Sequence, residues 1–248
     1  MGSAVRRPAW RSPFALVTAA ALAVAVAVIV LNQKPAPPPT DSLARPPLAY
    51  AAELVDGEAL GQADAPVVMA LYSDFQCPVC GRFIREQLGS LKTEFIDPGI
   101  LRIEAHDIAF LGAGDPDESL ELATGARCAA GQDRYWTFHD YVFWNQQRES
   151  RGDYSAEFIR SIAAASGLDL TAWDACVAGG DARDAIRAAT RTAMAAGINA
   201  TPTISLNGGR PVPGLPDAAA LAASIRALAA ASASPGPSSS PAPSAGPS

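Results

Sequence analysis

The feature that most constrains the fold of this chain is Cys77-Pro78-Val79-Cys80, two cysteines separated by two residues. This motif follows an apolar run at 67–72 and opens a pattern typical of an amphipathic helix at 81–95. A thiolate in the first turn of a helix faces unpaired backbone N–H groups and the positive end of the helix dipole, and both lower its pKa. We therefore predict a redox dithiol at a strand-to-helix junction, with Cys77 as the nucleophile.

The dipeptide between the cysteines is expected to tune the redox potential. Pro78 suits the first turn of a helix because its missing N–H needs no partner there. Val79 adds no charge, so the helix terminus dominates and we expect a moderate oxidant. A zinc site and an inert disulfide are the alternatives for this motif. Zinc needs four ligands, and the sequence has no second pair of this kind, so we predict no metal and no other cofactor.

An uncharged apolar run at 14–31 is long enough to span a bilayer, which takes roughly 17–25 residues. Three arginines within 1–13 predict a cytoplasmic N-terminus, with everything after the run on the extracytoplasmic side of the cell membrane. A cleaved signal peptide is the alternative, but 31–35 makes a poor cleavage site. We expect a single-pass signal anchor. Four cysteines, an even number, also fit an oxidising compartment.

The remaining composition shifts predict the domain boundaries. A proline-rich linker covers 32–49, a folded domain 50–231, and a disordered Pro/Ser-rich tail 232–248. Within the domain, a strand–helix–strand unit with its strands in parallel is followed by a helical block at about 112–198. A strand and hairpin signal then returns at 203–206, before a last helix.

This order of elements is that of a thioredoxin-type sheet with a helical insertion. The chain resembles the DsbA-like branch of the thioredoxin superfamily, in particular bacterial membrane-anchored thiol-disulfide oxidoreductases with a D-F-x-C-P-x-C motif. The resemblance covers about 60–230 and rests on the stretches 65–68, 74–80, 135–140 and 197–203. It implies an α/β thioredoxin-like fold with an inserted α-helical domain, preceded by one N-terminal transmembrane helix.

The resemblance also implies roles for particular residues. Cys80 is expected to be the resolving thiol. Thr201-Pro202 resembles the superfamily's cis-proline loop, in which the backbone of Thr201 would pair with an extended substrate. An isolated Thr-Pro pair is more often an ordinary trans turn, but its place just before a strand favours the cis form.

Two further predictions concern the other two cysteines and Asp74. Cys128 and Cys176 lie on different predicted helices, where a structural disulfide is preferred over a second redox pair or two free thiols. Related proteins carry a buried acid six residues before the nucleophile, whereas this chain has Leu71 there. Asp74 is then either the proton-handling acid and part of the redox tuning, or a cap for the loop before the helix.

The two histidines are expected to be structural. His106 lies on the second predicted strand, where a structural role is preferred over an approach to the dithiol. His139 belongs to an aromatic helical patch typical of a core. The exposed part of that patch, with Phe75 and Phe110, would form an apolar rim for unfolded substrates.

Together these features predict an enzyme that oxidises dithiols in exported proteins. Its expected partners are reduced exported proteins and, from the resemblance, a membrane quinone-linked reoxidase. A net charge of −6 gives no indication of a nucleic-acid partner, and we expect a monomer. The alternatives are a disulfide reductase or isomerase of the same fold, and a non-catalytic thioredoxin-like chaperone or binding module.

Overall fold

A computed structural model describes four parts of the chain, which are residues 17–25, 43–112, 117–146 and 153–233. The chain divides into two units, Met1–Ala36 and Pro37–Ser248. In the first unit, the described residues form an exposed helical segment at 17–25. Within the described ranges, no helix is both long enough and apolar enough to cross a membrane.

Several predicted segments lie wholly or mostly outside the described residues. They are the N-terminus 1–13, both ends of the 14–31 anchor, the first part of the 32–49 linker and nearly all of the 232–248 tail. The domain boundaries drawn from the sequence therefore stay predictions.

The second unit is built on a mixed sheet. Its strands in the described residues are β1 (Val55–Asp56), β2 (Ala59–Leu60), β3 (Val67–Ser73), β4 (Leu101–Asp107), β5 (Thr203–Leu206) and β6 (Val212–Pro213). Their order across the sheet is β1-β2-β4-β3-β5-β6. The central pair, β3 and β4, is parallel and every other pair is antiparallel, as the predicted strand–helix–strand unit requires.

Alternation of side chains gives the two central strands one buried face. In both strands every second residue is buried and the residues between are half-buried. The parallel register pairs Leu71 with Ala105 and Ser73 with Asp107, so these four side chains lie on the same buried face. At the carboxyl edge of the sheet, β3 ends and the chain enters the cysteine motif.

The helical run 78–96, named α1, connects the two central strands. Its α-helical segments Pro78–Phe83 and Gly89–Leu91 alternate with wider π-type turns at Ile84–Leu88 and Lys92–Ile96. The apolar positions predicted for one face of this helix are buried, namely Phe83, Ile84, Leu88, Leu91 and Phe95. Burial of each such side chain stabilises the fold by about 1.5–3 kcal/mol, which fixes the helix against the sheet.

The predicted helical insertion is confirmed as five helices within the described residues. They are α2 (Glu118–Ala130), α3 (Tyr135–Trp144), α4 (Ala156–Ala165), α5 (Leu170–Gly179) and α6 (Asp181–Ala195). A last helix, α7 (Ala218–Ala233), follows the β5–β6 hairpin. The strand–helix–strand, helical block, hairpin and helix order expected from the sequence is therefore present.

The insertion packs closely around Gly125 in α2. A Cβ atom at this position would press against the rings of Phe138 and Trp173, so glycine permits the close approach. The Trp173 indole N–H donates to the Gly125 carbonyl at 2.9 Å. The sheet and the insertion share one continuous apolar core, which also includes Cys77 and Cys80.

Candidate active site

Cys77 and Cys80 lie where β3 passes into α1. Cys77 is the residue that caps the helix, Pro78 is in the first turn, and both thiols are free. Cys77 is 5% exposed and Cys80 is 1% exposed. Cys77, the residue nearer the helix terminus, is therefore the more exposed of the two, as its role as nucleophile requires.

The pKa values of the two thiols are shifted in opposite directions. A hydrogen bond from Cys80 is the largest cause that lowers the pKa of Cys77 to about 6, against the opposing effect of burial. The Thr201 side chain and the backbone N–H groups of Cys80 and Val79 lower it further. Burial, and then contact with Cys77, raises the pKa of Cys80 well above its usual range. At neutral pH the pair therefore holds one thiolate, on Cys77, and one thiol, on Cys80.

The Thr201-Pro202 peptide bond is cis. It places the Thr201 carbonyl oxygen 3.4 Å from the Cys77 sulfur, where it accepts a hydrogen bond from the thiol form. Pro202 leads directly into β5, which pairs with β3. The fold therefore brings Thr201 and Pro202 to the cysteine pair, although Cys77 and Thr201 are 124 positions apart in the sequence.

The two residues between the cysteines act through the backbone. Pro78 occupies the first helical position, where no N–H is needed. Val79 is half-buried against the core and contributes its N–H to the Cys77 thiolate. Their influence on the redox potential stays a prediction.

Asp74 is buried and accepts four hydrogen bonds. Its donors are the backbone N–H groups of Gln76, Phe110 and Leu111, at 2.9, 3.1 and 3.1 Å, and the Ser119 hydroxyl, at 2.7 Å. Burial raises the pKa of this carboxyl, and the four donors oppose that rise. This geometry supports the loop-capping interpretation, because the carboxylate ties the cysteine loop to the segment after β4 and to α2. A role in proton transfer stays a prediction.

Leu71, at the position where related proteins carry an acid, is fully buried in the core. The sequence reasoning missed a second buried acid, Asp107, which lies on the same sheet face. Both of its oxygens accept from the Tyr135 hydroxyl, at 2.9 and 3.0 Å. Burial, and then the charge of Glu58, raises the pKa of Asp107 well above its usual range. The alternation of β4 carried this signal, since it places an acid at an inward position.

Gln146, which follows α3, is another residue that the sequence reasoning missed. Its side chain reaches two backbone carbonyl oxygens of the cysteine loop. No local pattern predicts this contact, because it joins residues about 70 positions apart through the packing of the insertion.

The aromatic and histidine predictions have mixed outcomes. His139 is fully buried among aromatic rings, as expected, and its Nδ1 lies 3.0 Å from Asp140. His106 stacks on Tyr72 with the ring centres 4.7 Å apart, on the sheet face opposite Asp107, and does not join the dithiol. The placement of Phe75 on an exposed rim is wrong, because its ring is 1% exposed and packs against Phe143.

Cys128 and Cys176 form a disulfide between α2 and α5. The S–S distance is 2.06 Å and the Cα atoms are 5.8 Å apart. This bond lies within the helical insertion, apart from the Cys77–Cys80 pair. Across the described parts of the chain, no group of three or more metal-ligating side chains could hold a metal ion.

Comparison with known proteins finds a family model, curated relatives and solved structures that resemble this chain. A family model described as Thioredoxin matches residues 53–225. A probable disulfide bond formation protein D of Bacillus cereus is 31% identical over 106 residues, which cover 42% of this chain and 48% of that protein. Its counterpart in Bacillus anthracis is 25% identical over 154 residues, which cover 61% of this chain and 70% of that protein. The chain thus spans about half the length of the first of these relatives.

Solved structures share the fold. Oxidised BdbD from Bacillus subtilis superposes with a TM-score of 0.62 at 20% identity, over 71% of this chain and 94% of that one. Oxidised Mtb DsbA superposes with a TM-score of 0.58 at 26% identity, over 73% of this chain and 91% of that one.

Proposed function

The chain belongs to the thioredoxin family, and from this premise we propose that it is a thiol-disulfide oxidoreductase that introduces disulfides into exported proteins. The observation that carries the proposal is the asymmetry of the dithiol. A Cys77 thiol with a pKa of about 6 lies beside a Cys80 thiol whose pKa is raised, next to the cis Thr201-Pro202 bond. A structural cysteine pair needs none of these features.

The reaction begins with the Cys77–Cys80 disulfide of the oxidised enzyme. A substrate thiolate attacks the Cys77 sulfur, the S–S bond breaks, and Cys80 leaves as a thiolate that takes up a proton. The second substrate thiolate then attacks the substrate sulfur of this mixed disulfide and releases Cys77 as a thiolate. The substrate loses two electrons and gains a disulfide, and the enzyme gains the same two electrons as a dithiol.

The low pKa of Cys77 favours the oxidising direction in two ways. A thiol of low pKa is a good leaving group, so release of the substrate from the mixed disulfide is fast. A stabilised thiolate also favours the reduced enzyme, which makes its disulfide a stronger oxidant. A pKa of about 6 lies between the values of about 7 for thioredoxin and about 3.5 for DsbA, and this supports a moderate oxidant.

The relatives support the same direction of electron flow. The two Bacillus relatives are named as probable disulfide bond formation proteins. The structure at 26% identity is a DsbA. The helical insertion between β4 and β5 agrees with this branch of the family and not with a bare thioredoxin domain.

We also propose that the protein is attached to the cell membrane. The apolar run 14–31 anchors the chain in the cell membrane as a single pass, and the domain is extracytoplasmic. The Cys128–Cys176 disulfide supports this placement, because such bonds persist in oxidising compartments. A membrane quinone-linked partner returns the dithiol to the disulfide, and the enzyme works as a monomer on reduced exported proteins.

Oxidative refolding tests the proposal against its alternatives. The oxidised full chain is mixed with a reduced, unfolded protein substrate. In parallel, the reduced full chain, whose Cys77 thiolate can attack a substrate disulfide, is mixed with a scrambled substrate. An oxidase restores activity to the reduced substrate and leaves the scrambled substrate largely inactive. Faster rescue of the scrambled substrate would show an isomerase. No rescue of either, with no mixed disulfide trapped by Cys80→Ser, would show a binding module.

A further inference from the structure

The Gln146 side chain connects the end of α3 to the cysteine loop. Its amide nitrogen donates to the carbonyl oxygen of Phe75 at 3.0 Å and to that of Cys77 at 2.9 Å. The Cys77 carbonyl also accepts from the Gly81 N–H at 3.1 Å, in the first turn of α1. Both lone pairs of this carbonyl, which belongs to the nucleophile itself, are therefore occupied, and one of them by Gln146.

Two residues of α1 hold this amide in place. Arg85 donates to the Gln146 side-chain oxygen at 3.5 Å and to the Phe143 carbonyl at 2.5 Å. A guanidinium group only donates hydrogen bonds, so the amide oxygen faces it and the NH₂ group faces the loop. At Gly81, a Cβ atom would collide with the Gln146 side-chain oxygen and with Arg85. The absence of a side chain at Gly81 thus leaves the space that the amide occupies.

We propose that Gln146 is a positioning residue that fixes the turn at Cys77 and stabilises the Cys77 thiolate. The carbonyl oxygens of Phe75 and Cys77 carry partial negative charge and belong to the loop that holds the sulfur. Donors bound to these oxygens offset that charge and keep them from turning toward the thiolate. They also hold the helix terminus in the geometry that aims its N–H groups at the sulfur. The inference rests on the proposed function, since it concerns Cys77 as the redox nucleophile.

The test replaces Gln146 with methionine, which has a similar length and no N–H donor. We expect the pKa of Cys77 to rise by about one unit, because the carbonyl oxygens of Phe75 and Cys77 lose the donor that offsets their partial negative charge when Cys77 is a thiolate. The pKa is measured on the reduced full chain from the ultraviolet absorbance of the thiolate.

The glutathione equilibrium gives a second readout. Ionisation of Cys77 increases the population of the reduced enzyme by the factor 1 + 10^(pH − pKa). When the pKa rises from about 6 to about 7, this factor at pH 7 falls from about 11 to about 2. The reduced form loses that stabilisation, so the equilibrium shifts about fivefold toward the protein disulfide. A loss of packing alone would not move the two readouts together in this ratio.

Gln132→Met is the matched control. The Gln132 amide also makes two hydrogen bonds to backbone, both with Asp169, but within the insertion. This variant is expected to keep the wild-type pKa of Cys77. If Gln146→Met does not fold, Gln146→Glu keeps the shape of the side chain and its contact with Arg85. Its carboxylate donates no hydrogen bond and adds a negative charge, so the rise in pKa should be at least as large.

The outcomes separate the inference from the proposed function. A folded Gln146 variant whose pKa and glutathione equilibrium match those of the wild type would overturn the inference. If the wild-type chain itself lacks a thiolate of low pKa and does not oxidise a reduced substrate, the proposed function fails instead.

Discussion

The chain carries two cysteine pairs, and the fold uses them in opposite ways. Cys77 and Cys80 are free, three positions apart, and lie at the start of a helix. Cys128 and Cys176 are bonded, 48 positions apart, and lie toward the ends of α2 and α5. The positive end of a helix dipole stabilises a thiolate, whereas the negative end disfavours one. Position along a helix therefore separates a reactive pair from an inert one.

The two pairs also differ in the length of the chain loop that their disulfide closes. A bond between Cys77 and Cys80 closes a very short loop and adds little stability, so it is available for exchange. The bond between Cys128 and Cys176 closes a long loop and connects two helices, so it stabilises the insertion. We infer that the first pair carries the chemistry and the second supports the surface beside it.

The largest expected effect comes from Cys77→Ser, which should reduce oxidation of a reduced protein to the uncatalysed rate.

Alkylation of the reduced wild-type chain should increase with pH and level off with a midpoint near pH 6, because Cys77 reacts as its thiolate. Stopped-flow alkylation measures this profile. A midpoint near the pKa of an ordinary thiol, about 8.5, would show that the helix terminus does not stabilise a thiolate on Cys77.

The double variant Cys128→Ala/Cys176→Ala should lose stability and keep its chemistry. For a loop of 48 residues the chain-entropy model gives a loss of about 4 kcal/mol in the free energy of unfolding. Denaturant unfolding of the oxidised proteins measures the loss, and alkylation checks that the Cys77 midpoint is unchanged. A double variant of wild-type stability that no longer oxidises substrates would instead make Cys128 and Cys176 a second redox pair.

A smaller effect is expected from Asp107→Asn, which keeps an oxygen that accepts from Tyr135. A carboxyl whose folded pKa is raised stabilises the fold below its unfolded pKa, and that contribution is lost as pH rises through the folded value. As pH rises, the free energy of unfolding of the variant should therefore increase relative to that of the wild type. Unfolding of the oxidised proteins across pH measures this, and parallel profiles would contradict it. The alkylation midpoint of Cys77 should not change, because the Asp107 carboxyl is hydrogen-bonded to Tyr135 and not to the cysteine loop.

The sequence predicted much of this fold because its strongest signals are local. The alternation of 101–107, the apolar face of α1 and the turn after 203–206 each depend on residues close together in the chain. The cysteine motif is local too, and the Thr201-Pro202 loop follows from the resemblance to a family.

The contacts that complete the site were beyond the sequence because they are tertiary. Asp74 binds Ser119 across 45 positions, and Gln146 binds the Cys77 carbonyl across 69. Phe75 resembled an exposed residue because it lies in a loop, yet the insertion covers it. Only the packing of α2 and α3 against the loop decides these cases.

The reduction potential of the Cys77–Cys80 pair tests the central claim most directly. It is measured on the full chain by equilibration with glutathione buffers, with the Cys128–Cys176 bond left in place. The thiolate on Cys77 predicts a moderate oxidant, with a potential between about −250 mV and the −120 mV or so of DsbA. A potential below about −250 mV, near that of thioredoxin, would contradict the assignment of this dithiol as an oxidase.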